Sequence, residues 1–82
     1  MSTKDLTAKY GKNKNSTQAI NAAIRAELPG GAEALDALDR VRTLDERRGT
    51  PETADALAAI RGIVNAMADE IRRRYDMPAR EE

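Results

Sequence analysis

The sequence predicts a small all-α bundle built on an antiparallel pair of helices, on the basis of three observations. Apolar residues recur at spacings of three and four over most of residues 16–76. Two clusters of glycine and proline, Pro29-Gly30-Gly31 and Gly49-Thr50-Pro51, divide this pattern into three helices. The second cluster is too short for anything but a tight reversal, so the last two helices should form an antiparallel hairpin.

The first two of these helices are predicted over residues 16–28 and 32–48. In the first, Asn15 or Ser16 can act as the cap, and Ile20, Ile24 and Leu28 form a narrow stripe with a repeat of four residues. We expect this helix to pack across the hairpin. The second helix is apolar over about half of its circumference, through four aliphatic residues: Leu35, Leu38, Val41 and Leu44.

The third helix, over residues 51–76, is the longest element and the expected centre of the protein. Thr50 is a suitable N-cap, and Pro51 suits the first helical position, where its missing N–H costs nothing. Five apolar side chains on this helix are spaced by 3, 4, 3 and 4 residues, which is the pattern of an association seam. They are Leu57, Ile60, Val64, Met67 and Ile71.

This seam is the predicted interface of a homo-oligomer. The helices over 16–28 and 32–48 supply about seven large aliphatic side chains, too few to cover it, and an uncovered apolar face marks an interaction site. A two-fold antiparallel dimer is the favoured arrangement, because closed dimers are the commonest oligomers. An inhibitor that places this face in the groove of another protein would have the same sequence pattern.

Composition favours self-association over other ways of stabilising a small chain. The 82 residues correspond to one domain and include only 13 leucine, isoleucine and valine residues. Cysteine and histidine are absent, which excludes disulfides and makes a metal site improbable. Without those residues there is also no general base near neutrality, so we expect no enzymatic activity, cofactor or small-molecule substrate.

The cellular compartment and the type of genome are predicted from the same composition. Lack of cysteine fits a reducing compartment, and no segment resembles a secretory signal or a membrane span. We therefore expect a cytoplasmic protein that does not enter membranes. The frequent use of arginine, alanine and aspartate favours a GC-rich bacterial or phage genome, and a regulatory or assembly role there.

Residues 1–15 are predicted to be a basic, partly flexible segment attached to a bundle domain over 16–82. Residues 1–25 carry four lysines and one arginine against a single aspartate, whereas the remainder holds nine arginines against thirteen carboxylates. Leu6 and Tyr10 are the sizeable apolar residues after Met1, and the segment also allows a short helical turn over Lys4–Tyr10 with Thr3 as cap. We expect this segment to lie outside the core.

The N-terminal third also supports an alternative function. The stretch Asp5–Gly11 followed by Ser16–Ile20 resembles a helix-turn-helix within residues 3–24, which implies a small DNA-binding transcriptional regulator dimerised by its C-terminal hairpin. In such motifs the second helix presents polar side chains to the major groove. The candidate nucleic-acid contacts are Lys9, Lys12, Lys14, Asn15, Ser16, Gln18 and Asn21.

Overall fold

The computed structural model describes residues 3–10 and 16–75, and these residues form four helices without a strand. The helices are α1 (Thr3–Tyr10), α2 (Ser16–Glu27), α3 (Gly31–Arg48) and α4 (Pro51–Arg74). The predicted all-α class is confirmed, and the three predicted helices end within two residues of α2, α3 and α4. None of the described helices has the length and hydropathy that a membrane crossing requires.

Helices α3 and α4 form the hairpin and pack more closely than any other pair. Gly49 ends α3 in the left-handed region, with φ of 60°, and its N–H donates to the carbonyl of Asp45 at 2.8 Å. Only glycine adopts this conformation without steric cost, so the reversal depends on it. Thr50 then caps α4 by accepting a hydrogen bond from the N–H of Thr53 at 3.2 Å, with Pro51 at the first helical position.

Thr53 fastens the two helices together at this end. Its side chain is buried, and its hydroxyl lies 2.8 Å from Oδ1 of Asp45 on α3 and 2.9 Å from the carbonyl of Thr50. A hydroxyl has one proton, and a carboxylate is the stronger acceptor, so the donation goes to Asp45. The same oxygen accepts from the N–H of Thr50 at 3.1 Å, which completes a reciprocal capping box.

Helix α2 lies across the open end of the hairpin and packs on both α3 and α4, as predicted. The approach is closest at Gly31, where an added Cβ would collide with the backbone of Ile24. Further along, Arg25 of α2 forms an ion pair with Asp36 of α3 at 3.0 Å. The absence of a side chain at residue 31 therefore sets how near α2 comes to α3.

The core lies where α2 meets this open end. Its buried members are Leu6, Ala19, Ile20, Ala23, Ile24, Ala34, Leu35, Val64, Ala68, Ile71 and Tyr75. Farther from α2 the hairpin has almost no interior: in residues 36–63, which we call the tip half, Thr53 alone is buried. Its six large aliphatic side chains are half-buried or exposed, because the hairpin is longer than the surface that α2 covers.

The structure corrects the prediction for the N-terminal segment. Residues 3–10 form the helix α1, which packs on α2, and Leu6 is fully enclosed in the core cluster with Ala19 and Ala23. The expectation that residues 1–15 stay out of the core is therefore wrong for Leu6. Leu6 and Tyr10 alone are too few to define a periodic apolar face, so the sequence pattern could not identify Leu6 as a core residue. The predicted flexibility concerns mainly residues 11–15, which lie outside the described part of the chain.

Replacing Leu6 with alanine should destabilise the protein by roughly 2–5 kcal/mol, the usual cost of truncating an enclosed leucine. Urea unfolding followed by circular dichroism measures this change. The matched control is Ala8→Ser, at an exposed position of the same helix, which should alter the free energy of unfolding by about 0.5 kcal/mol or less. Equal stability of Leu6→Ala and wild type would mean that α1 does not dock on α2.

Candidate interaction surfaces

The predicted seam on α4 divides into an enclosed part and an accessible part. Ile71 is fully buried and Val64 is 8% exposed, both within the core of the single chain. The single chain therefore already buries these two members of the predicted oligomer interface. Leu57, Ile60 and Met67 remain half-buried. Helical spacing identifies the residues that share a face but does not identify the element that covers them.

A different apolar surface lies beside this seam. Leu44 of α3 is 40% exposed and Ile63 of α4 is 50% exposed, and each is flanked by smaller or half-buried apolar residues at spacings of three and four. We call this surface the apolar face, and its members are Ala37, Val41, Leu44, Ala56, Ile60, Ile63 and Met67.

Helical geometry places both halves of the apolar face on one side of the hairpin. The hydrogen bond between Asp45 and Thr53 marks the line along which α3 and α4 touch. At about 100° per residue, Leu44 lies about 100° from Asp45 around α3, and Ile63 lies about 80° from Thr53 around α4, in the same rotational sense. In two antiparallel helices, equal rotations of the same sense lead to the same side.

The opposite side of the hairpin is the one that α2 occupies. Gly31 touches Ile24 of α2, and Tyr75 reaches Glu27 of α2. By the same rule of about 100° per residue, Gly31 on α3 and Tyr75 on α4 both lie about 40° from the contact line, in the opposite sense to Leu44 and Ile63. The apolar face therefore looks away from α2, and among the described residues no other helix covers it.

The candidate nucleic-acid contacts are only partly brought together. Gln18 is exposed and Asn21 half-exposed, and with Ala22 and Arg25 they line a shallow depression on the outer side of α2. Lys9 lies elsewhere: its ammonium group is 3.8 Å from the carboxylate of Glu27, at the opposite end of α2. Lys12, Lys14, Asn15 and the side chain of Ser16 fall outside the described residues.

Sequence reasoning missed a cluster around Glu27 that joins three helices. Tyr10 of α1 and Tyr75, which caps α4, both donate their hydroxyl hydrogen to Oε2 of Glu27, the second at 2.6 Å. Arg74 contributes an ion pair to Oε1 at 3.4 Å. Tyr10 and Tyr75 are 17 and 48 residues away from Glu27 along the chain, so no local pattern could have revealed the cluster.

The electrostatics of this cluster indicate a structural role. Hydrogen bonds from Tyr10 and then Tyr75 lower the pKa of Glu27, against the opposing effect of partial burial. Burial, followed by the hydrogen bond to Glu27, raises the pKa of Tyr10 well above its usual value of 10.0. Both groups therefore keep one protonation state near neutrality: Glu27 stays charged and Tyr10 stays a donor. Such an arrangement links α1, α2 and α4 through hydrogen bonds to a charged acceptor.

Comparison with protein-family models, with curated proteins and with solved structures finds no match to this chain. Within residues 3–10 and 16–75 there is also no group of three carboxylates placed to hold a metal ion. The two surfaces and the cluster described above are therefore the features of this chain that bear on its function.

Replacing Glu27 with glutamine should destabilise the protein at pH 7 by roughly 1.5–3 kcal/mol, the range for a hydrogen bond to a charged group. Because the folded-state pKa of Glu27 is lowered, its contribution is present above the usual value of about 4.5 and is lost as the pH falls through the lowered pKa. The stability difference between wild type and Glu27→Gln should therefore stay constant from pH 7 to about 4.5 and shrink as the pH falls further, as measured by urea unfolding.

The control for this series is Glu46→Gln, at an exposed position on α3 that has no ion pair among the described residues. It should change the stability little at either pH. A Glu27→Gln difference that is constant over the whole pH range would contradict the charged hydrogen-bond cluster.

Proposed function

We propose that the chain is a non-enzymatic helical interaction module that self-associates through its α3–α4 hairpin. The observation that carries this proposal is the apolar face, where Leu44 and Ile63 are exposed on the same side of the hairpin and look away from α2. We further propose a regulatory or assembly role in the cytoplasm, in a bacterium or in connection with a phage.

Energetics support a second copy of the chain as the partner. Four large aliphatic side chains of the tip half belong to the apolar face, and none of them is buried: Val41, Leu44, Ile60 and Ile63. Full burial of such a side chain contributes roughly 1.5–3 kcal/mol, and a two-fold interface buries each of them twice. Only part of this energy is gained here, since several are already half-buried, and association itself has an entropic cost. Two hairpins joined through their apolar faces would form a four-helix bundle with its own interior.

Ile63→Asp should dissociate the protein without unfolding it. The side chain is half exposed in the single chain, so a carboxylate there stays in water in the monomer but would be buried in the dimer. Sedimentation equilibrium or light scattering should give about twice the chain mass of 9.0 kDa for wild type and the single mass for the variant. Val64→Asp is a poor probe, because Val64 lies in the core and its substitution would unfold the chain.

The matched control is Ala58→Asp, at an exposed position of α4 outside the apolar face, which should leave the dimer intact. A stably folded wild type with a mass near 9.0 kDa at micromolar concentration would refute self-association. The apolar face would then be available to a different protein, as in the inhibitor alternative.

A second candidate function is DNA binding by α1 and α2. The observation that favours it is the outer side of α2, where Gln18, Asn21 and Arg25 line one shallow depression while Ile20 and Ile24 face the core. Asparagine and glutamine are the side chains that read adenine, and arginine reads guanine or contacts phosphate. The core that supports the helix pair would come from α3 and α4, which follow it in the chain.

If DNA is bound, replacing Lys12 and Lys14 with glutamate should abolish binding to labelled duplexes in fluorescence polarisation at low salt. Wild-type affinity should fall by about one log unit per log unit of salt for each phosphate contacted. Lys9 is left unchanged, because a glutamate there would repel Glu27 and loosen α1. Arg42→Glu with Arg61→Glu, on the hairpin, gives the same change of net charge and should bind normally. No polarisation change with any duplex would reject this candidate.

A further inference from the structure

We propose, resting on the self-association above, that two copies lie side by side with their hairpin tips at the same end, so that α3 of each packs on α4 of the other. The charges that border the apolar face support this arrangement. The sequence seam favours a dimer in which the two copies run antiparallel, whereas here the two hairpins point in the same direction.

The α3 border of the apolar face is basic over the tip half. Arg40 and Arg47 lie four residues before and three residues after Leu44, and the three side chains line one open groove together with Asp39 and Thr43. Both arginines are exposed. At about 100° per residue they lie about 40° and 60° farther from the contact line with α4 than Leu44 does, which puts them at the outer edge of the face.

The α4 border is acidic at the same end of the hairpin. Glu52 is exposed and lies eleven residues before Ile63, which puts it within about 20° of the same direction on the helix. Its height along the hairpin follows from the Asp45–Thr53 contact. Glu52 is one residue nearer the tip than Thr53, and Arg47 is two residues nearer the tip than Asp45, so their heights differ by about 1.5 Å.

Among the described residues, neither Arg40 nor Arg47 nor Glu52 forms an ion pair within the single chain, as is also true of Arg48 and Arg61. Arg47 in the last turn of α3 and Glu52 in the first turn of α4 complement the helix dipoles, which leaves both charges open to a partner of opposite sign. Arg47 and Glu52 lie on opposite borders of one face, which keeps them from pairing with each other. A second copy that places its acidic border over Arg47 and its basic border over Glu52 can form an ion pair with each of them.

Two identical faces can be joined by a two-fold axis in only two simple ways. A two-fold axis that runs across the hairpin places α3 of one copy on α3 of the other and points the two tips in opposite directions. The two basic borders then lie on the same side of the dimer. A two-fold axis that runs along the hairpin places α3 of one copy on α4 of the other, and each residue keeps its position along the hairpin. In the second case Arg47 of each copy meets Glu52 of the other, and the pair forms twice. Charge complementarity therefore selects the axis along the hairpin.

The test uses charge reversal at these two positions. Arg47→Glu and Glu52→Lys should each weaken the homodimer, because each converts two attractive contacts into two repulsive ones. With exposed pairs of ordinary strength we expect about a 10-fold rise in the dimer dissociation constant for each variant. Mixing the two variants should yield a heterodimer in which both contacts are attractive again. Combining both substitutions in one chain should restore the homodimer.

Native mass spectrometry of the mixture and sedimentation equilibrium of each variant supply the measurements. The control is Ala54→Lys, which adds a cation at an exposed position in the same first turn of α4. Ala54 lies about 100° from the contact line in the opposite sense to Ile63, away from the apolar face, so this variant should leave dimerisation unchanged. It accounts for the effect of a cation near the N-terminus of the helix.

The outcomes separate this inference from the proposed function. If wild type forms a dimer and neither single variant weakens it, the side-by-side arrangement is wrong while self-association stands. The side-by-side arrangement is equally wrong if the combined variant dimerises no better than the single variants. A monomeric wild type would overturn both proposals together.

Discussion

A chain with 13 leucine, isoleucine and valine residues and no phenylalanine or tryptophan can enclose a core only where several helices meet. Here that place is the open end of the hairpin, where α2 lies across α3 and α4 and α1 adds Leu6 from outside. Gly31 makes it possible, because any side chain there would push α2 away from α3. In the described part of the chain, only at this end does a third helix cover the apolar side chains of the hairpin, and consequently the tip half has no interior of its own.

Polar contacts compensate for the small core at the two ends of the molecule. Thr53 and Asp45 hold the hairpin together at its tip, where apolar packing is sparse. At the other end, Glu27 gathers two tyrosine hydroxyls and an arginine from α1 and α4. Because Glu27 keeps 20% of its side-chain surface exposed, it retains some solvation while accepting several hydrogen bonds. Charged hydrogen bonds of this kind are stronger than neutral ones.

The parts of the fold that could be predicted from the sequence are those encoded locally. Helix ends follow from Gly49, Thr50 and Pro51, whose effects reach only a few residues, and the hairpin follows from the length of its turn. Periodicity on α4 found the apolar residues that share a face but could not show that the core of the single chain buries Val64 and Ile71, because it has no information on α2. Leu6 and Glu27 could not be recognised, since their importance arises from contacts between distant parts of the chain.

The position of the two tyrosines gives the molecule an internal optical reporter. With no tryptophan present, all near-ultraviolet absorbance and fluorescence of the chain come from Tyr10 and Tyr75. Both hydroxyls are bound to one carboxylate, and a carboxylate acceptor quenches the emission of tyrosine. The intensity of the unlabelled protein therefore registers whether α1 is seated on α2, independently of helix content. Movement of the N-terminal helix can be followed in this protein without adding a probe.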